Sequence, residues 1–79
     1  MAGVSRELLG QRIADCGCVE EHWRISNLDV TIHFEEEAGH QFADVFVDAG
    51  DWDVENRHDG SPDEAREAAF QFIESWPSC

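Results

Sequence analysis

The stretch LDVTIHFE, residues 28–35, has the cleanest alternation of apolar and polar side chains in the chain. Its apolar positions are Leu28, Val30, Ile32 and Phe34, and its polar positions are Asp29, Thr31, His33 and Glu35. Because successive side chains of a strand point to opposite faces, this pattern predicts a strand with one buried and one solvated face.

Residues 19–25, just before this stretch, alternate in the same way and predict a preceding strand. Ser26 and Asn27 predict the tight turn between the two strands, since Asn tolerates the left-handed backbone. Residues 36–39 predict the next turn, which contains Gly39.

Residues 42–48 predict a third strand that is apolar on both faces. One face would carry Ala43, Val45 and Val47, and the other would carry Phe42, Asp44, Phe46 and Asp48. After Gly50, residues 51–55 alternate again and predict a short fourth strand or an extended loop.

A helix is expected at each end of the chain. Residues 5–15 have Ser5 as an N-cap and Gly10 as a weak point, with apolar spacing at Leu9, Ile13 and Cys16. The second helix has stronger local signals, because Ser61, Pro62 and Glu64 form a capping-box sequence. Pro77 would end it, and its apolar face would be Ala65, Ala69, Phe72, Ile73 and Trp76.

These elements predict a single domain over residues 1–79 in the α+β class. The expected order is α-β-β-β-α: an antiparallel sheet of three to four strands, with an N-terminal and a C-terminal helix on one face. At 79 residues the chain is too short to divide its apolar residues between two cores, and we expect a monomer.

The charge is strongly negative: 18 acidic residues against five arginines give −13 at pH 7. Binding to nucleic acid requires cations that meet phosphates, so direct nucleic-acid binding is not expected. An anionic membrane surface is disfavoured for the same reason. With no apolar segment of membrane-spanning or signal-peptide length, the sequence predicts a cytoplasmic protein with three free cysteines.

Metal and enzymatic chemistry are also not predicted. Cys16, Cys18 and His22 collect three ligand types, but one residue between the cysteines is fewer than structural zinc sites favour. The acidic residues 51–55 resemble the start of a calcium loop without its later Gly and acidic positions. No nucleophile motif, elbow or phosphate loop is present, so we expect no cofactor and no catalysis.

The acidic residues themselves are the most informative feature for function. They are interleaved with the fold-forming residues, so a rigid array of carboxylates is expected, with Trp52 as a supporting core residue. Such an array repels itself, and a basic partner would offset that cost. The predicted partner-binding residues, each a phosphate surrogate, are Asp44, Asp48, Asp51, Asp53 and Glu55, followed by Glu35, Glu36 and Glu37.

Two resemblances bear on this interpretation. The element order and the Ala-rich helix at residues 61–69 resemble the double-stranded-RNA-binding domain. That family has lysines where this chain has Asp63 and Glu64, so RNA binding is not implied. In size, charge and lack of a catalytic motif, the chain is similar to small phage anti-CRISPR proteins that mimic DNA. This resemblance implies inhibition of a CRISPR effector, a type I surveillance complex, at its DNA-binding site.

Two other functions fit the same composition. One is a small acidic adaptor or antitoxin-like module that binds a basic protein unrelated to DNA. The other is a salt-adapted domain, in which a charged surface maintains solubility and no partner is involved.

Overall fold

The chain folds as a meander of five antiparallel strands followed by one helix. The computed structural model describes residues 6–48 and 53–75, with only the backbone of Asp53. Each strand is hydrogen-bonded to the next in sequence. The elements are β1 Arg6–Ile13, β2 Val19–Ile25, β3 Leu28–Glu37, β4 His40–Asp48, β5 Asp53–Asp59 and α1 Pro62–Glu74.

The predicted N-terminal helix is wrong, and with it the α-β-β-β-α order. Arg6–Ile13 is a strand whose residues are all exposed, and within residues 6–48 and 53–75 the structure contains one helix. The apolar spacing of this segment was sparse, whereas the backbone groups at the β2 edge need partners, which β1 supplies. Gly10 stands where a bulge interrupts the pairing after Leu8, a usual role for glycine in a strand.

Both predicted turns are present in the structure, although the second is shorter than predicted. Ser26 and Asn27 adopt φ angles of 51° and 69° between β2 and β3, as the two central residues of a tight hairpin turn require. The next turn is narrower than predicted, because β3 continues through Glu37 and only Ala38 and Gly39 make the reversal, with φ angles of 53° and 80°.

The helix predicted near the C-terminus is confirmed, together with its cap. The Ser61 hydroxyl accepts a hydrogen bond from the Glu64 amide, and the Glu64 carboxylate accepts one from the Ser61 amide. Its buried residues are Ala65, Ala69, Phe70 and Ile73. The sequence missed Phe70, whose ring meets Trp23 of β2 edge to face at 4.9 Å. Trp76 and Pro77 lie outside the described residues.

The core lies between α1 and one face of the sheet. The sheet contributes Ile25, Val30, Ile32, Ala43, Val45 and Val47, all at most 1% exposed. These residues occupy alternate positions, and among the described residues no element covers the other face of the sheet. Among the described residues, no helix is long and apolar enough to cross a membrane.

One buried ion pair joins the helix to the sheet. Glu21 of β2 is 6% exposed, and Arg66 of α1 donates to both of its carboxylate oxygens, at 2.8 and 2.7 Å. The Trp23 indole donates a third bond at 2.9 Å. Burial alone would raise the pKa of Glu21, but these hydrogen bonds outweigh it and hold the pKa below its usual value.

Candidate functional site

The face of the sheet opposite α1, here called the open face, carries most of the chemistry. Strand register arranges its residues in rows that run across the sheet. Three of these rows differ sharply in charge. They are, from β1 to β5, Glu7–Arg24–Asp29–Asp48–Asp53; Gly10–His22–Thr31–Phe46–Glu55; and Arg12–Glu20–His33–Asp44–Arg57.

The third row, here called the alternating row, largely neutralises itself. Arg12 Nε lies 2.9 Å from Glu20 Oε1, and His33 Nδ1 lies 2.9 Å from Glu20 Oε2. At the other end Arg57 Nε donates to Asp44 Oδ1 at 2.8 Å. The Arg57 guanidinium accordingly holds the pKa of Asp44 below its usual value.

Asp44 is therefore committed to a partner within the fold. Its side chain is 13% exposed, and a second bond joins its other oxygen to Arg57 at 3.3 Å. The same guanidinium lies over the Phe42 ring at 4.4 Å, which helps to leave Phe42 only 8% exposed although it is on the open face. The sequence predicted Asp44 to be an accessible phosphate surrogate. In the structure its carboxylate is largely buried and bound to Arg57.

The first row, here called the acidic row, places like charges directly opposite one another. Asp29 stands opposite Asp48, and Asp48 stands opposite the backbone position of Asp53. Arg24 approaches this end of the face, with its Nη2 3.2 Å from Asp29 Oδ1. Like charges that stand directly opposite one another repel across a sheet, and Arg24 offsets part of this repulsion at Asp29.

A shallow groove lies between the acidic row and the neighbouring row, which contains Thr31, Phe46 and Glu55. Its lining includes Asp29, Thr31, Phe46, Asp48 and Glu55. Phe46 is 41% exposed, a high value for so large an apolar side chain, and it stands opposite Glu55. We call Asp29, Asp48, Glu55 and Phe46 together the acidic patch.

Among the described residues, three further predicted site residues, Glu35, Glu36 and Glu37, do not join this patch. Glu35 is half-buried and lies six residues along β3 from Asp29, a distance of about 20 Å. Glu37 is exposed at the same remote end, and Glu36 is exposed with its side chain on the helix side of the sheet. Asp51 and Trp52 lie outside the described residues, as does the side chain of Asp53.

Sequence reasoning missed Asp29, although the signal was present. The residue belongs to the polar set of residues 28–35, which alternation already assigned to the solvated face. Attention to local acidic density favoured the later segment instead. Only the pairing of β3 with β4 places Asp29 beside Asp48.

A second cluster lies where the β1–β2 loop meets β3. Cys16, Cys18 and His33 have ligand atoms that all fall within 4.8 Å of one another. The sequence grouped the two cysteines with His22, whereas His22 lies one row away and His33 takes its place. The distance from Cys16 Sγ to His33 Nε2 is 3.5 Å.

A tight turn holds the two cysteines. The Gly17 amide donates to the Ala14 carbonyl at 2.8 Å, and the Ala14 amide donates to the Cys18 carbonyl at 2.7 Å. Gly17 adopts a φ of 88°, a left-handed conformation that glycine reaches at little cost, so the chain reverses between the two thiols. Both thiols are free.

The hydrogen bond between the two thiols shifts their pKa values in opposite directions. The hydrogen bond from Cys18, with a smaller contribution from His33, lowers the pKa of Cys16. The same bond is the main reason that the pKa of Cys18 rises to about 11. The hydrogen bond to Glu20 raises the pKa of His33. The Cys16 thiol is thus the more readily ionised of the pair.

Comparisons with known proteins do not extend this description, since no family model, curated protein or solved structure matches the chain. The function is therefore argued from the acidic patch and the cysteine–histidine cluster themselves.

Proposed function

We propose that this protein is a non-catalytic inhibitor that mimics DNA and binds the basic DNA-binding site of another protein through its acidic patch. The observation that carries this proposal is the acidic row, where consecutive strands bring acidic residues face to face. The specific form favoured by the profile of the chain is a phage-encoded anti-CRISPR protein acting on a type I surveillance complex.

The distribution of charge supports a binding role for this end of the face. The alternating row shows that the fold can balance a carboxylate with a cation on the neighbouring strand. At the acidic row Arg24 pairs with Asp29, and the register also places a second carboxylate, Asp48, opposite Asp29. A row of lysines or arginines on a partner would replace this repulsion with attraction, and would also steer the encounter.

The geometry also suits a surface that normally holds phosphates. Asp48 and Glu55 are diagonal neighbours on adjacent strands, and residues in this relation lie roughly 7–8 Å apart. That separation is on the scale at which phosphates follow one another along a nucleic-acid strand. The sheet fixes these positions, so little ordering entropy would be lost on binding.

The direct test is capture of a partner from lysate of a CRISPR-bearing bacterium at low salt, followed by challenge with duplex DNA. We expect a crRNA-guided complex to be retained, released by a salt step, and displaced by DNA. Salt should weaken binding steeply, because exposed charges are screened beyond about 8–10 Å. A retained complex that ignores DNA would contradict the mimicry.

Matched charge variants locate the binding surface. The triple variant Asp29→Asn, Asp48→Asn, Glu55→Gln removes three charges from the acidic patch. The control Glu36→Gln, Glu37→Gln, Glu67→Gln removes three exposed charges elsewhere. We expect the first to lose at least tenfold in affinity and the second to stay within about threefold. Equal losses would show that net charge, rather than the patch, controls binding.

One observation favours a second function, an adaptor that binds a basic protein unrelated to DNA. Phe46 gives the patch an exposed aromatic anchor, which suits an apolar pocket on a protein partner. Phe46→Ser separates the two functions. An adaptor should lose most of its affinity, whereas a phosphate mimic should retain most of it.

A further inference from the structure

The spacing of the cysteine–histidine cluster matches a metal-coordination sphere. In tetrahedral zinc sites the Zn–S and Zn–N bonds are about 2.3 and 2.05 Å, which sets an S–N separation of about 3.6 Å. Cys16 Sγ and His33 Nε2 are 3.5 Å apart. Cys18 Sγ lies within 4.8 Å of both, so a small movement of one side chain would complete three vertices of a tetrahedron.

Glu20 supplies the support that metal-binding histidines usually have. Its Oε2 lies 2.9 Å from His33 Nδ1, and a carboxylate at this distance accepts the Nδ1 proton. The lone pair of the neutral ring is then on Nε2, the atom that faces Cys16. Arg12 holds the other oxygen of Glu20 at 2.9 Å and so fixes the carboxylate.

The surroundings leave room for a fourth ligand. A groove beside the two thiols is lined by Cys16, Cys18 and Glu35. Either water or the Glu35 carboxylate could complete the sphere from this side, because both are ordinary zinc ligands.

We propose that Cys16, Cys18 and His33 bind a thiophilic cation of the Zn²⁺ type, with Glu20 as the positioning residue behind His33. Two thiolates and an imidazole are soft or borderline ligands, which select Zn²⁺ over the oxygen-preferring Mg²⁺ and Ca²⁺. His33 is four residues along β3 from Asp29, about 13 Å, so this site is separate from the acidic patch.

The test uses the full-length, reduced protein titrated with Co²⁺ and Zn²⁺ alone. Co²⁺ should give the near-ultraviolet thiolate charge-transfer band at one equivalent, and Zn²⁺ should abolish the band at one further equivalent. A chromophoric chelator in competition then gives the Zn²⁺ affinity. Ca²⁺ at the same concentration should leave the Co²⁺ spectrum unchanged.

Variants of the three ligands should remove the site. Cys16→Ser, Cys18→Ser and His33→Asn should each weaken Zn²⁺ binding at least 100-fold. Matched controls are Cys79→Ser and His40→Asn, since His40 pairs with Asp59 on another part of the surface. The controls should stay within about twofold, and circular dichroism of each metal-free variant checks that it is folded.

Glu20→Gln separates positioning from coordination. The variant should weaken Zn²⁺ binding by roughly 10- to 100-fold while the Co²⁺ charge-transfer band keeps its position, because both thiolates remain ligands. A purely structural role for Glu20 would leave the affinity unchanged in a folded variant.

Three results would overturn the proposal. They are no thiolate band with Co²⁺, a band that needs more than one equivalent, and equal Zn²⁺ affinity in Cys16→Ser and Cys79→Ser. None of these measurements depends on a binding partner, so failure of the metal site leaves the proposed DNA mimicry to its own test.

Discussion

Glu20 and Glu21 are consecutive residues of β2, yet they have opposite roles because they lie on opposite faces of the sheet. Glu21 points under α1, where Arg66 and Trp23 satisfy it in a buried setting. Glu20 points to the open face, where Arg12 and His33 share it. The covered face uses its carboxylate to hold the helix against the sheet, and the open face uses its carboxylate to orient His33.

Two histidines on opposite faces of the sheet, His58 and His33, show the same difference in environment. His58 of β5 has a buried Nε2 with no hydrogen-bond partner among the described residues, and burial lowers its pKa. On the open face, the bond to Glu20 raises the pKa of His33. The covered face thus disfavours the protonated form of His58, and the open face favours that of His33.

The largest effect expected from breaking this contrast is at Glu21. Glu21→Gln should cost about 3 kcal/mol of unfolding free energy, because it removes the buried carboxylate that accepts two bonds from Arg66 and leaves that half-buried guanidinium with the exposed carboxylate of Asp63. Glu20→Gln should cost less than about 1 kcal/mol, since its partner Arg12 is largely exposed. Urea denaturation at pH 7 with a chelator present measures both, and similar losses would refute the assigned roles.

A smaller effect, of opposite sign, is expected at His58. His58→Leu should raise stability by about 1 kcal/mol at pH 7.5, because it removes a buried polar group that has no partner among the described residues. The folded-state pKa of His58 is depressed, so the unfolded chain binds the proton more readily. Wild-type stability from this group is therefore lost as pH falls through about 6.5 and below.

The gain from His58→Leu should accordingly widen between pH 7.5 and pH 5. His33 contributes with the opposite sign, because its raised pKa adds stability that is lost as pH rises through its folded-state value. His33→Asn is therefore the matched control, and its deficit should be largest at low pH. Urea denaturation midpoints measured between pH 7.5 and pH 5 test both variants. A stability gain for His58→Leu that narrows as the pH falls would contradict the prediction.

The smallest effects compare the two charged rows of the open face. Asp44→Asn should cost about 0.5–1 kcal/mol by weakening the bidentate bond to Arg57. Asp48→Asn should cost less than Asp44→Asn, because it also relieves the repulsion between the opposed positions 48 and 29. Unfolding in 20 mM and 500 mM NaCl tests this, since salt should screen that repulsion. A loss for Asp48→Asn that equals or exceeds the loss for Asp44→Asn at low salt would contradict the argument from opposed charge.

The elements that could be predicted from the sequence are those set by residues close together in the chain. The C-terminal helix was predictable because its cap joins Ser61 to Glu64, three residues apart. The β2–β3 turn was predictable because Ser26 and Asn27 suit its backbone. The N-terminal segment was mispredicted because its weak local preference yields to hydrogen bonding with β2 and to the contact of Arg6 with Phe70 at 4.6 Å.

The candidate sites needed contacts that no local pattern contains. The acidic patch arises only when β3, β4 and β5 pair in one register, which joins Asp29 to residues from two other strands. The cysteine–histidine cluster needs His33, which follows Cys16 by 17 residues. Spacing rules could not find it, because the third ligand comes from β3 and not from the segment beside the cysteines.

By itself the sequence determined the period-two faces of the strands, the capped helix and the strong negative charge. These are properties of single residues and their near neighbours. The tertiary structure decided which face is covered, which carboxylate is neutralised and which thiols meet an imidazole. Glu21 and Arg66 are 45 residues apart, and only the return of the helix across the sheet brings them within hydrogen-bonding distance.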